Sequence, residues 1–240
     1  MIGVTQLLSK PLVVPPIVNA APDPLNETDF KSHYSFNNTF NDSSSNSYHG
    51  TGNSASFVET GKFGSHYYAT DGTSSDIVSL PNLFNQNGTF TAWLYIPDDG
   101  TAKEWYIFSK TLSAYRFLSF ELSRDATGLK AAAFARGITT SNYRYTSEYV
   151  NFPVNEWFHI GYYFNNSGVH AISVNGGSWN SLTSTLSNGS VPPIDTSPAM
   201  VIGRRYINGV AYYAAPFYID EIRTYSSILT SSQMSTLANE

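Results

Sequence analysis

The chain has 240 residues, with 13 Lys and Arg against 18 Asp and Glu, and a formal net charge of −5. Its 41% hydrophobic and 15% aromatic content is enough to fill a sizeable core and excludes global disorder. No basic stripe is available to neutralise phosphates, so we expect no nucleic-acid partner. Cys is absent, which removes disulfides, thiol catalysis and Cys-ligated zinc.

Residues 1–28 are rich in Pro, Val and Leu and show neither helical nor alternating periodicity. They lack the basic start of a signal peptide, and Lys10-Pro11 and Pro15-Pro16 interrupt the apolar run. No stretch reaches the roughly 20 apolar residues that cross a bilayer, so we expect no membrane span. We interpret residues 1–28 as an extended arm, either a disordered leader or a segment docked on a neighbouring subunit.

The remainder predicts twelve short strands, most of them bounded by Gly, Asn, Asp, Ser or Pro. In chain order they are Ser32–Phe36, Ser65–Thr70, Asp76–Leu80, Gly88–Ile96, Trp105–Ser109, Arg116–Leu122, Leu129–Ala135, Tyr143–Tyr149, Trp157–Phe164, Val169–Val174, Ala199–Gly203 and Phe217–Tyr225. Such closely spaced strands favour a sandwich or jelly roll over a βαβ fold.

Two features refine this prediction. In the fourth run Phe90, Ala92, Leu94 and Ile96 share one face, whereas Trp157–Phe164 is apolar on both faces, as a strand between two layers would be. Near the C-terminus a capping box, formed by Thr230 with Gln233, predicts a short helix that places Met234 and Leu237 on the sheet. The polar stretches 37–53 and 178–197 are predicted to be exposed loops.

The carboxylate pairs that glycoside hydrolysis requires are not found on a single strand of the domain. Glu27-Thr28-Asp29 is the only Glu-x-Asp and lies where the arm meets the domain. Glu121 and Asp125 would be about 13 Å apart along a strand, and Asp220 and Glu221 would point to opposite faces. Common nucleophile, metal and phosphate-binding motifs are also absent, so we predict that the protein is not an enzyme.

Four groups of segments carry a family pattern, and their order and spacing give it weight. They are His33–Phe36 with Asp42–Gly50, Gly61–Gly64 with Tyr68–Gly72 and Asp76–Pro81, Phe90–Ile96 with Glu156–Ile160, and Phe217–Tyr225 with Ile228–Met234. Together they resemble the LamG-like, concanavalin A-like lectin/glucanase superfamily over residues 30–240. One departure is Ser45, where that family prefers Gly.

The resemblance implies an all-β fold, an antiparallel two-sheet jelly-roll sandwich with a short C-terminal helix. We place this LamG-like domain at residues 29–240, after the extended N-terminal arm of residues 1–28. The resemblance also implies a structural Ca²⁺, with Asp42 and Asp220 at the matching positions. The alternative is that Asp42 forms a simple Asx turn and that Asp220 accepts backbone N–H bonds.

A glycan-binding surface is the other property that the resemblance implies. Sugars stack their apolar faces on aromatic rings while neighbouring polar groups bond the hydroxyls. The candidate ligand-binding residues are Trp105, Tyr143, Tyr145, Trp179, Arg204 and Tyr206. For each aromatic residue the alternative is a place in the core or at its edge, and for Arg204 and Arg205 it is a solvated charge pair.

These observations lead to one functional expectation and one alternative. We expect a non-enzymatic structural or decoration protein of a virion, in its capsid, head fibre or tail, located at the virion surface. Residues 1–28 would contact other virion proteins, the outward domain would bind glycans, and the apolar arm favours a homo-oligomer. The alternative is a carbohydrate-binding adhesion module of a cell-surface protein, extracellular or at the cell surface.

Overall fold

The computed structural model describes residues 21–53, 56–58, 60–64, 67–70, 77–81, 87–113, 116–136, 143–165, 167–188, 199–207 and 210–240. Within its strands it gives the backbone alone for residues 53, 67–70, 77, 111–113, 116–117, 136, 143–144, 184–188, 206–207 and 213. Residues 1–20, most of the predicted arm, lie outside the described part, as do the first residues of the predicted strands at Ser65 and Asp76.

The described residues form eighteen strands and one helix. They are β1 Phe30–Tyr34, β2 Thr51–Asn53, β3 Ser56–Val58, β4 Tyr67–Thr70, β5 Ile77–Leu80, β6 Gly88–Tyr95, β7 Lys103–Ser113, β8 Arg116–Arg124, β9 Leu129–Arg136, β10 Tyr143–Tyr149, β11 Trp157–Phe164, β12 His170–Val174, β13 Asn180–Ser181, β14 Ser184–Asn188, β15 Met200–Ile202, β16 Arg204–Ile207, β17 Val210–Tyr213, β18 Phe217–Tyr225 and α1 Ser231–Ala238.

The strands form two large antiparallel sheets and a two-stranded ribbon. Sheet I has the order β13-β12-β11-β6-β18-β4-β3, and β1 also pairs with β18. Sheet II has the order β14-β10-β9-β8-β7-β15-β5-β2, and β16 pairs with β17 in the ribbon. This is the antiparallel two-sheet sandwich that the sequence predicts.

The core lies between the facing sides of the two sheets. Phe90, Ala92, Leu94 and Ile96 belong to the core cluster, whereas Trp93 between them lies outside that cluster and packs on His159, which confirms the predicted alternation. On sheet II the alternate residues Leu118, Phe120 and Leu122 of β8 are also buried. The rings of Phe90 and Phe108 lie 5.0 Å apart across the core. Residues between these positions therefore point to the outer face of each sheet.

Helix α1 covers part of the outer face of sheet I. Thr230 and Gln233 form the predicted capping box, in which Gln233 N–H donates to Thr230 Oγ1 at 3.3 Å and Thr230 N–H donates to Gln233 Oε1 at 2.7 Å. The buried Met234 and Leu237 pack with Leu229 in a second apolar cluster. This cover explains why β11 is apolar on both faces.

The described end of the predicted arm lies on the same outer face. The fully buried Arg223 of β18 donates to the carbonyls of Ala21 at 2.9 Å and Pro22 at 3.3 Å. Tyr225 Oη donates to Asp23 Oδ1 at 3.3 Å, and Leu25 packs against the second apolar cluster. Residues 21–25 thus pack on the sandwich, whereas the boundary at residue 28 stays a prediction.

The described part of the polar stretch 178–197, residues 178–188, is not a single exposed loop, because β13 and β14 lie within it and extend the two sheets, whereas residues 189–197 are outside the described residues. Its Ser, Thr and Asn residues pair through the backbone at sheet edges, where an apolar alternation is not required. The ribbon β16–β17 was not foreseen either. In the described residues no helix has the length and apolar character that crossing a membrane requires.

Candidate functional site

The outer face of sheet II carries a polar cluster at the centre of the sheet. Because Leu118, Phe120 and Leu122 face the core, Glu121 points outward, and its register partner on β7 is Tyr106. Tyr106 Oη in turn donates to Glu104, two residues earlier on the same strand. Neighbouring strands therefore bring Glu104, Tyr106 and Glu121 together on this face.

The ribbon brings a cation over this cluster. Gly203 follows β15 with a φ of +80°, a backbone conformation that favours glycine, and the chain turns there into β16. Arg205 then pairs with Glu121, and its guanidinium carbon lies 4.6 Å from the centre of the Tyr106 ring. Both charged side chains are largely buried and have therefore lost most of their hydration. The ion pair and the cation–π contact offset the cost of this desolvation.

Burial sets the titration of Glu121. The pKa of Glu121 is raised to about 7, because desolvation by burial and the nearby Glu104 raise it by more than Arg205 lowers it. Burial likewise raises the pKa of Tyr106, with its hydrogen bond to Glu104 adding to the shift. Tyr106 therefore stays protonated and keeps donating to Glu104 at neutral pH.

Beside the ion pair, a lysine lies between two tyrosines. Lys130 of β9 is the register partner of Tyr149 on β10. Its Nζ is 5.6 Å from the ring centre of Tyr149 and 5.8 Å from that of Tyr145. Tyr149 is 48% exposed, and its hydroxyl donates to Asp125 Oδ2 at 2.9 Å. The site thus presents aromatic ring faces next to a cation.

Of these groups, Glu104, Tyr106, Glu121, Lys130 and Tyr145 line a cleft of about 520 Å³, which we call the sheet II cleft. Arg205 and Tyr149 contact this lining through Glu121 and Lys130. Its other cations are engaged, because Lys103 pairs with Asp99 and Arg124 pairs with Asp98. Among the described residues Lys130 makes no ion pair. Ring faces, one unpaired ammonium and several oxygen acceptors in one concave site are typical of a site that binds a polar organic ligand such as a sugar.

Five of the six predicted ligand-binding residues, one of them a tryptophan, lie on sheet II or its ribbon. Tyr145 lines the sheet II cleft. Tyr143 lies on the same strand, and Arg204 and Tyr206 lie on β16. Arg204 accepts a hydrogen bond at its carbonyl from Ser109 Oγ at 2.5 Å. The side chains of Tyr143 and Tyr206 are outside the described residues, so their place in the site stays a prediction.

The two predicted tryptophans do not line the sheet II cleft. Trp105 is fully buried because it faces the core opposite Leu122, so its ring offers no surface to a ligand here. Trp179 packs edge to face on Tyr163 at 4.8 Å, and its indole N–H donates to the Leu229 carbonyl at 2.8 Å. It therefore holds the segment before α1 against sheet I, away from the sheet II cleft.

Asp42 does not have the geometry of a calcium ligand. Its Oδ1 accepts from the N–H groups of His33 and Ser44, and its Oδ2 accepts from Ser44 Oγ and the Tyr48 N–H, all within 2.6–2.9 Å. These four bonds use the lone pairs that a cation would need. The Ser44 contact is the Asx turn that was the alternative prediction.

Both carboxylate oxygens of Asp220 likewise accept hydrogen bonds from backbone N–H groups. Its Oδ1 accepts from the Glu221 N–H at 2.9 Å and its Oδ2 from the Phe63 N–H at 3.1 Å. Burial and the neighbouring Glu221 raise the pKa of Asp220 to about 8. The described residues contain no cluster of three or more His, Asp or Glu groups that could hold a metal. The donor set of Asp42 and Asp220 therefore does not fit Ca²⁺.

Sequence reasoning missed most of the cleft. Glu104 and Tyr106 were not singled out, Lys130 was not considered, and Glu121 was tested only against Asp125 on its own strand. The register between β7 and β8 places Tyr106 beside Glu121, but a bulge between Tyr106 and Phe108 shifts that register. The pairing therefore could not be predicted from strand alternation alone. Tyr145 and the adjacent Arg204-Arg205 pair were the parts of this site that the sequence indicated.

Comparisons with known proteins agree with this architecture. The chain aligns with domain 4 of AbnA, a GH43 extracellular arabinanase from Geobacillus stearothermophilus, whose structure is in complex with arabinotriose. The match has a TM-score of 0.62 at 20% identity and covers 88% of this chain and 98% of that chain.

Two toxin domains share the fold as well. The receptor-binding domain of botulinum neurotoxin type G matches with a TM-score of 0.61 at 14% identity, covering 88% of this chain and 51% of that one. The binding domain of Paraclostridial Mosquitocidal Protein 1 matches with a TM-score of 0.58 at 14% identity and the same coverage. This chain thus spans about half the length of these toxin domains.

Sequence comparison identifies the family. A search of curated protein sequences finds no match. The Laminin_G_3 family model, described as the concanavalin A-like lectin/glucanases superfamily, matches residues 69–235, which is more than half of the chain. The chain therefore belongs to the concanavalin A-like lectin/glucanases superfamily.

Proposed function

We propose that the protein is a non-enzymatic carbohydrate-binding domain and that the sheet II cleft is its glycan site. The observation that carries this proposal is the arrangement of Lys130 between the rings of Tyr145 and Tyr149, beside the Glu121–Arg205 pair. The rings offer stacking surfaces for the C–H faces of a sugar, and the charged groups offer directional hydrogen bonds to its hydroxyls.

The state of the two carboxylates supports binding rather than catalysis. Glu121 is held by Arg205, and Glu104 accepts from Tyr106. Hydrolysis by two carboxyl groups needs one of them to donate a proton to the glycosidic oxygen and the other to face the anomeric carbon or a water. A carboxylate fixed in a buried ion pair serves to position a ligand or to hold the fold.

The fold also supports a binding role. Structures of the same fold include a domain of an arabinanase in complex with arabinotriose and the receptor-binding domain of a neurotoxin. A lectin-like domain of this kind is compatible with a surface or extracellular location. The fold alone does not assign a ligand, since one sandwich hosts many sites.

For the biological setting we keep the virion as our proposal. The domain would decorate a capsid, head fibre or tail, with residues 1–28 as the attachment and other virion proteins as partners. Ala21, the first described residue, lies beside Arg223 on the outer face of sheet I. The sheet II cleft lies on the opposite face, so an attachment through the preceding residues leaves the cleft directed outward. The alternative setting is a cell-surface adhesion module.

Binding is tested on a glycan array with the wild-type chain and the variants Lys130→Ala and Tyr145→Ala. Tyr48→Ala serves as a matched control, because Tyr48 is 40% exposed in a different loop. We expect both cleft variants to lose a common set of glycans that the wild-type chain binds, and the control to keep that set. Equal binding by all four proteins, or no binding by any, would overturn the proposal for the cleft.

The setting is tested separately, by imaging and mass analysis of the native particle that contains the chain. Stoichiometric copies on a capsid or tail, with residues 1–28 against a neighbour, are expected for a virion protein. Recovery from a cell envelope instead would favour the adhesion module and reject the virion.

A further inference from the structure

The outer face of sheet I carries three aromatic residues in one row, which we call the aromatic row. Trp157 of β11 pairs in register with Tyr95 of β6, and Tyr95 pairs with Tyr218 of β18. Each of the three alternates with buried core residues, so all three point outward. Three neighbouring strands therefore place their aromatic side chains side by side at one end of the sheet.

The rings stand at steep angles to one another. Those of Tyr95 and Trp157 are 6.0 Å apart with planes at 66°, and those of Tyr95 and Tyr218 are 5.6 Å apart with planes at 56°. Together with Thr60 and Pro97 they enclose a cavity of about 340 Å³. Rings tilted in this way form the walls of a small cavity, whereas coplanar rings would form a flat platform.

Two other parts of this face are covered, which makes the open end distinctive. Helix α1 lies over β11 at Gly161, where an added Cβ would meet Met234 Cε at 2.2 Å. Residues 21–25 cover the opposite end of β18 through Arg223 and Tyr225. All three residues of the aromatic row remain partly exposed. An aromatic cavity left open beside a covered apolar face marks a binding site.

We propose that the aromatic row is a second carbohydrate site, specific for an uncharged sugar. The cavity is at the small end of the range for small-molecule sites, too small for a helix or a strand of a partner protein. Among the described residues none with a charge lines it, and three of its five lining residues are aromatic. That combination suits the C–H faces and hydroxyls of a neutral sugar ring.

The second site extends the proposed function and does not depend on it, because the two sites lie on opposite faces of the sandwich. One molecule would then hold two glycan chains at once, or bind a dense glycan surface more tightly than either site alone. The two sites also differ in chemistry, since the sheet II cleft contains Lys130 and the Glu121–Arg205 pair.

The test uses an array of neutral oligosaccharides of glucose, galactose, mannose and arabinose. It compares the wild-type chain with Trp157→Ala, Trp157→Phe and Tyr218→Ala. We expect Trp157→Ala to weaken capture of at least one neutral glycan roughly tenfold, because one aromatic wall is lost. Trp157→Phe keeps an aromatic wall and should retain most of the binding. Thermal unfolding of each variant confirms that it is folded.

The cleft variant Lys130→Ala separates the two sites. If it still captures the neutral glycans that Trp157→Ala loses, the second site stands whatever the cleft binds. If Lys130→Ala and Trp157→Ala lose the same glycans, there is one extended site and the proposal is wrong. If no neutral glycan distinguishes Trp157→Ala from the wild type, the aromatic row is not a sugar site.

Discussion

Removing Arg205 should destabilise the protein in a way that depends on pH. In Arg205→Ala the Glu121 side chain, 7% exposed, loses its cation and stays buried. Breaking a buried ion pair from one side costs about 3–5 kcal/mol when the remaining group is charged. The lost cation–π contact with Tyr106 contributes to this figure. We therefore expect Arg205→Ala to lose about that much free energy of unfolding at pH 8.5.

The loss should be smaller in acid. The pKa of Glu121 is about 7 in the folded protein, above its ordinary value of 4.5. At pH 5 the folded protein already holds the Glu121 proton, so no buried charge is stranded when Arg205 is removed. What remains is a hydrogen bond and some packing, about 1–2 kcal/mol. The two pH values should thus differ by about 2 kcal/mol.

Urea unfolding at pH 5 and pH 8.5 measures both values, and two further variants serve as controls. Glu121→Gln/Arg205→Ala removes the stranded charge and should recover stability at pH 8.5 relative to Arg205→Ala. Lys103→Ala breaks the exposed pair with Asp99 and should change stability little at either pH. An equal loss for Arg205→Ala at both pH values would refute the ion-pair reasoning and leave packing as the cause.

Three further predictions follow from single groups. Addition of EDTA or of Ca²⁺ should leave the melting temperature unchanged, because the carboxylate oxygens of Asp42 already accept four hydrogen bonds. A reproducible shift of several degrees would show that the protein binds a metal ion. The pKa of Asp220 is about 8 against an ordinary 3.8, so the contribution of Asp220 to stability is complete below pH 4 and declines as the pH rises to 8. In urea unfolding, the stability of Asp220→Asn should therefore decline less over this pH range than that of the wild type. An equal decline in both proteins would contradict this assignment. Thr230→Ala removes the cap of α1 and should cost about 1 kcal/mol in thermal unfolding, with Thr236→Ala on the same helix as a control that leaves the cap intact.

The fold could be predicted from local sequence patterns because such patterns indicate directly which side chains are buried. The alternation of Phe90, Ala92, Leu94 and Ile96 and the capping box at Thr230 need no information from distant residues. Trp105 shows the limit of this approach. It begins a run, Trp105–Phe108, in which every residue is apolar, so periodicity does not say which side faces the core. The choice depends on pairing with Leu122 of β8.

The sheet II cleft was harder to predict because it depends on register and on a turn. Tyr106 and Glu121 are neighbours only through the pairing of β7 with β8, and the bulge after Tyr106 changes which side chains share a face. Arg205 reaches them from 84 residues further along the chain. A single sequence contains no signal for that contact beyond the two adjacent arginines.

Gly203 explains how those arginines fit on a sandwich. Met200 and Ile202 of β15 face the core, so continued alternation would direct Arg204 into it as well. A charge there, without a partner, would be strongly unfavourable. The left-handed conformation of Gly203 turns the chain before this happens, and β16 continues as a ribbon in which Arg205 lies against Tyr106 and Glu121. The charged part of the cleft therefore exists because strand periodicity is broken at one residue.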